Sequence, residues 1–141
     1  MIFYLVNVDY TRQIGEDNPS KVKETYLVNA PTPSDAERVV LDWIKPFMFG
    51  DYTTTKIQKV QFFKALEDKI NGGDWYKAKV EIITIDGDKE TRKAVNILIQ
   101  DAKNIESALS VLSTHLLSFD FEIVSISRTP IIDILNMEDE V

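Results

Sequence analysis

The side chains that most often carry chemistry are scarce in this chain. His115 is the only histidine and cysteine is absent, which excludes disulfides, thiol nucleophiles and cysteine metal sites. A lone histidine acts as a base only with a substrate pocket and an orienting partner. Neither is legible around "STHLLS", so His115 reads as a structural or surface residue. With one imidazole, a zinc site would need carboxylates, and no ligand spacing is visible. The acidic residues cluster at Glu16–Asp17, Asp86–Asp88 and Glu138–Asp139–Glu140. "DGDKE" has only a superficial likeness to a calcium loop. It lacks the longer EF-hand pattern and lies between two strand-like runs, so a hairpin turn accounts for it better. Gly72–Gly73 is followed by a strand and not a helix, which is the wrong context for a phosphate loop. No serine sits in a nucleophile elbow. The expectation is no catalytic residue, no metal and no cofactor. A small carboxylate-dependent enzyme, with a pocket and a raised carboxyl pKa, is the least favoured reading.

The cationic residues are spaced more suggestively. Lys77 and Lys79 project from one side of a strand, away from Ala78 and Val80, and Arg92 and Lys93 follow on the next strand. Lys59 and Arg128 occupy matching places in the two halves of the chain. Lys59, Lys77, Lys79, Arg92, Lys93 and Arg128 are therefore candidates for a face that binds single-stranded nucleic acid by charge and stacking. Two considerations oppose this. A net charge of −7 repels phosphate backbones at longer range. The same lysines also read as a solvated face, balanced by Glu81 and Glu90, that guards a sheet edge. Phe62–Phe63 and Ile131–Ile132 are adjacent apolar pairs in matching places. Core closure is their default role; a self-association surface is the sharper alternative.

These residues must be held by elements that the hydrophobic period reveals. Tyr4, Val6, Val8 and Tyr10 alternate along a first strand from Ile2 to Arg12. A polar loop, "QIGEDNPSK", leads to a second strand, "VKETYLVNA". Thr32 then caps a helix, with Pro33 in its first turn and Asp35 three residues after the cap. Val39, Val40, Trp43, Ile44 and Phe47 form its apolar face, and Pro46 stops it near Lys45. A third strand is expected over Thr53–Phe63. "EDKINGGD" is the strongest break. After it come the strand "WYKAKVEIITID", the compact turn "GDKE" and the returning strand "TRKAVNILIQD". Asn104 caps a second helix whose stripe is Ile105, Ala108, Leu109, Val111, Leu112 and Leu116. "DFEIVSISRTPIIDIL" closes the fold and "NMEDEV" is a frayed acidic tail.

The two halves share this order, and their residues match: Tyr4 with Tyr76, Val8 with Val80, Ala36 with Ala108, Ile57 with Ile126, Leu66 with Leu135. The expectation is an α+β fold: a tandem ββαβ repeat with pseudo-two-fold symmetry, its mainly antiparallel sheets packed against two helices. The first unit spans residues 1–69 and the second 74–136, with a linker at 70–73 and a tail at 137–141. A single ββαβ unit leaves sheet edges open. The runs "VQFFKAL" and "PIIDIL" are therefore expected to turn off their own sheet and latch onto the other half, helped by Pro130.

The composition is globular, with 44% hydrophobic and 28% charged residues, close to the average for soluble domains. No apolar run is long enough to span a bilayer, and the N-terminus lacks the basic region of a signal peptide. The opening tyrosine-containing strand, "YLVNA" followed by a helix with "DAE", "WYKAKVEIITID" and "ISRTPIIDIL" together resemble a family of short proteins catalogued only as a domain of unknown function. That family is found in Bacteroidetes bacteria and in their phages and mobile elements. The resemblance covers nearly the whole chain. It implies a bacterial or phage origin and a cytoplasmic setting, and supplies no catalytic residues. The favoured function is a non-enzymatic binding or assembly module acting through protein–protein contacts or self-association, with no membrane. The alternative is a single-stranded nucleic-acid-binding accessory protein of phage or mobile-element replication.

Overall fold

A computed structural model describes residues 2–13, 15–16, 18–62, 64–67 and 72–137. In chain order the elements are β1 (Phe3–Arg12), β2 (Ser20–Asn29), α1 (Pro33–Ile44), a 3-10 turn (Lys45–Phe47), β3 (Met48–Val60), β4 (Lys64–Glu67), β5 (Asp74–Asp86), β6 (Lys89–Ala102), α2 (Ile105–His115), β7 (Asp120–Thr129) and β8 (Ile131–Asn136). The fold is α+β, with two four-stranded sheets and two helices. Two compact units result: Met1–Gln61 with Pro130–Val141, and Phe62–Thr129. The acidic tail at 138–141, Asp68–Asn71 and Phe63 lie outside the described residues.

The first unit is a sheet of order β3-β1-β2-β8 backed by α1. β1 pairs antiparallel with β2 and β3, and β8 runs parallel to β2. Alternation puts Tyr4, Val6, Val8 and Tyr10 of β1 on the helix side, with Tyr26 and Val28 of β2. They pack with Ala36, Val40 and Ile44 of α1 and with Leu135 of β8. Burying one aliphatic side chain of this size contributes ~1.5–3 kcal/mol. The pairing of β1 with β3 slips between Asn7 and Val8, where Thr55 is the extra residue of a bulge. Its hydroxyl donates to the Asn7 carbonyl at 3.3 Å.

α1 begins as expected. The Asp35 amide donates to Thr32 Oγ1 (3.1 Å), and the Thr32 hydroxyl donates back to the Asp35 carboxylate (2.8 Å). Pro46 ends the helix, which tightens into the 3-10 turn. Two expectations need correction. Trp43 is 49% exposed, because the stripe that closes on the sheet is the narrower Ala36–Val40–Ile44 set, spaced at i, i+4. β3 starts at Met48 and ends at Val60, not Thr53 to Phe63. The earlier start follows from the length of β1: Arg12 pairs with Met48, and the Gln13 amide donates to the Phe47 carbonyl at 2.9 Å.

The second unit is a sheet of order β4-β6-β5-β7 backed by α2. β5 pairs antiparallel with β6 and β7, and β4 runs parallel to β6. Tyr76, Ala78 and Val80 of β5 and Ile97 and Ile99 of β6 face Ala108, Leu112 and Leu116, with Leu66 of β4 closing the edge. Here the register slips between Lys79 and Val80, and Val124 is the extra residue. Gly87 and Asp88 make the β5–β6 turn, in which Gly87 takes φ 63, a conformation with little steric cost only for glycine. Asn104 caps α2 by accepting from the Ser107 amide at 2.8 Å. The segment after each third strand thus joins a sheet built from the other half of the sequence, as expected from "VQFFKAL" and "PIIDIL".

Candidate functional site

β1 and β2 bring four polar side chains together on the helix side of the first sheet. Glu24 interrupts the apolar stripe Val22–Tyr26–Val28 and is the one buried charged residue among those described, at 8% exposure. Its carboxylate is filled. Oε1 accepts from the Tyr10 hydroxyl at 2.5 Å and the Tyr26 hydroxyl at 2.9 Å; Oε2 accepts from Arg12 at 3.0 Å. The Arg12 guanidinium in turn lies 4.7 Å from the Phe47 ring centroid, a cation–π distance. Burying a carboxylate is costly unless it is paired and hydrogen-bonded, and here both oxygens are. Chemically this is a satisfied anion and not a waiting base. To pass a proton, a phenol would have to ionise against its surroundings. Burial, reinforced by donation to Glu24, pushes the Tyr10 phenol from 10.0 up to about 12, and the same causes raise Tyr26.

That shift has a consequence at alkaline pH. Above pH 10 the unfolded chain releases phenolic protons that the folded chain keeps until about pH 12. The unfolded state then binds fewer protons, so stability that is fully present below pH 10 falls as pH rises. The thermal midpoint should drop across this window, and the drop should be smaller in Tyr10→Phe. Equal drops in both proteins would contradict the coupling.

The six cationic candidates do not form one patch. Lys77, Lys79 and Arg92 share the face of the second sheet turned away from α2. Lys93 and Arg128 lie on the opposite face, in register with Ile82 and Tyr76. Lys59 belongs to the first unit, opposite Tyr4. Lys77 and Lys79 are exposed beside Ser127 and Ser125. Arg92 instead sits among three carboxylates, Glu122 at 2.8 Å, Glu81 at 3.2 Å and Glu90 at 3.8 Å. One guanidinium against three carboxylates leaves that group with an excess of negative charge, and its contacts, Glu122 first, hold Arg92 still more firmly protonated. Arg128 pairs with Asp74 at 3.4 Å.

Of the apolar candidates, Phe62 is half-buried, Ile131 is buried and Ile132 is exposed. His115 is exposed in the last turn of α2. Among the described residues no group of three or more His, Asp or Glu is arranged to hold a metal ion, and no helix is long and apolar enough to cross a membrane.

Two features escaped the sequence reading. The Glu24 cluster was signalled by a carboxylate at the position in "VKETYLV" that shares a strand face with Val22, Tyr26 and Val28. The second feature is an exposed apolar set at α2 and the turn after it. Ile105 (47% exposed) and Leu109 (41%) on α2, and Leu117 (80%) and Phe119 in the turn that follows His115, stay open to solvent. Only Ala108, Leu112 and Leu116 of the expected stripe are buried, with Val111 half-buried.

These observations define a class: an α+β protein of two helix-backed four-stranded sheets, each with three antiparallel strands and one parallel edge strand. The chain belongs to the family described as domain of unknown function DUF4494, which matches residues 2–137. No curated protein and no solved structure matches the chain.

Proposed function

We propose that this protein is a non-enzymatic binding module, built by internal duplication of a ββαβ unit, that makes protein–protein contacts through the exposed flank of α2. Four correspondences support the duplication. The sheet orders β3-β1-β2-β8 and β7-β5-β6-β4 correspond strand for strand. Tyr4 opposes Val28 as Tyr76 opposes Ile99. The bulges fall at the equivalent residues Thr55 and Val124. Leu135 pairs beside Val28 as Leu66 pairs beside Ile99.

The difference between the copies carries the function. With Ala36 matched to Ala108 and Ile44 to Leu116, Glu37 corresponds to Leu109 and Lys45 to Leu117. The second unit has apolar side chains at solvent-facing positions where the first has charges. Exposed apolar side chains concentrated in one short stretch of chain, here 105–119, are a feature of interaction surfaces. The first unit has diverged the other way: Glu24 and Tyr26 stand where the second has Val95 and Ile97, so its polar cluster serves packing. The simplest partner for the flank is a second copy of the chain.

The test restores the first unit's charges as Leu109→Glu with Leu117→Lys. Both side chains are exposed, so the thermal midpoint should stay within a few degrees of wild type. Light scattering over a concentration series should show wild-type association that the double variant loses. Identical monomeric masses for both proteins, together with identical partner capture, would remove the proposal. Salt-dependent retention of single-stranded DNA, lost on Lys77→Glu with Lys79→Glu, would favour the nucleic-acid reading instead.

A further inference from the structure

We infer that the two halves of the sequence are strand-exchanged partners fused into one chain, each able to hold the other when the peptide link between them is cut. The inference stands on strand pairing and not on the α2 flank, so the two can fail separately.

Neither half of the sequence contains a complete sheet. The first half supplies β3, β1 and β2, but the strand that covers β2 is β8, which follows Pro130 at the far end of the chain. The second half supplies β6, β5 and β7, but the strand that covers β6 is β4, which precedes the linker. Both added strands run parallel to their neighbours. A parallel neighbour cannot be reached by a tight hairpin turn, so each site is one that a strand arriving from elsewhere can fill. The acceptors are the outer edges of Thr25–Asn29 and Ile97–Gln100. Each incoming strand presents one leucine to a core. Leu135 joins the cluster of Tyr26 and Val28, and Leu66 joins that of Ile97 and Ile99. The chain beyond β8 is held too, since the Met137 amide donates to the Asn29 carbonyl at 3.0 Å. The occupant each edge fits is therefore a short strand carrying a single core leucine, supplied by a second ββαβ half.

Covalent continuity through the linker is dispensable in this arrangement, because the exchange runs in both directions. If the peptide is broken at Gly72–Gly73, β4 stays with the first fragment yet belongs to the second sheet, and β8 stays with the second fragment yet belongs to the first. Gly72 is exposed and a Cβ there would meet nothing within 4 Å, so an inserted cleavage sequence has room.

The experiment uses the full chain with a site-specific protease sequence between Gly72 and Gly73, cut after purification. The expected result is one species with the mass of the uncut chain by size exclusion with light scattering, unfolding in a single transition. Leu66→Ala with Leu135→Ala should let the cut fragments part at least about tenfold faster, since each removes a buried leucine side chain. The single substitutions give the same reading where the pair does not fold. Separation of the wild-type fragments on cutting would overturn the inference. So would fragments that stay together equally well with both leucines shortened, because the exchanged strands would then not be what holds them.

Discussion

Glu24→Ala should lower stability by about 3 kcal/mol, since removing one partner of a buried ion pair leaves the rest uncompensated. The Tyr10 and Tyr26 hydroxyls both donate to this carboxylate, and both tyrosines are buried. Each donor left without an acceptor costs ~1–3 kcal/mol. The Arg12 side chain is 32% exposed, so water takes over part of its solvation and the ionic contribution is the smaller share. Glu24→Gln tests this division. It keeps a carbonyl acceptor for the phenols and loses the charge, so less than half of the alanine effect should remain. Urea midpoints of the two variants measure it. An alanine variant within ~0.5 kcal/mol of wild type, the range of ordinary surface substitutions, would show that the cluster does not hold the first unit.

Leu135→Ala should cost ~2–5 kcal/mol, the range for shortening a buried leucine. The location of the damage is more telling than its size. Leu135 follows β7 closely in sequence, but its neighbours are Tyr26, Val28 and the rest of the first core. Amide exchange should therefore speed up in β1 and β2, more than a hundred positions away in the case of β2, while β7 keeps its protection. Faster exchange confined to residues 120–129 would mean that β8 depends on the strand before it and not on β2.

Local chemistry made the helices and most strands legible. Thr32 and Asn104 cap their own helices within three residues, and alternation in "FYLVNVDY" needs no knowledge of the fold. The exchange was legible as well, because "PIIDIL" after a closed ββαβ pattern had no place left in its own sheet. Side-chain partnerships across strands were not. Glu24 meets Tyr10 through a register that a seven-residue loop sets, and nothing in "QIGEDNPSK" states it. The balance by Glu81 and Glu90 was readable on the hairpin itself, but the contact of Arg92 with Glu122 depends on β7 lying beside β5. The helix stripes were read too wide for a related reason. A period of 3.6 groups Ile105 and Leu109 with Leu112, but one sheet face covers only the arc through Ala108, Leu112 and Leu116. The residues left over by that narrower contact are the ones proposed to bind.

The most direct test of this assignment is amide hydrogen exchange of the wild-type chain at low and high protein concentration. Binding through the α2 flank predicts slower exchange at high concentration within residues 105–119 and no change in the β5–β6 hairpin. Protection gained at residues 77–93 instead, or exchange that is the same at both concentrations throughout the chain, would contradict it.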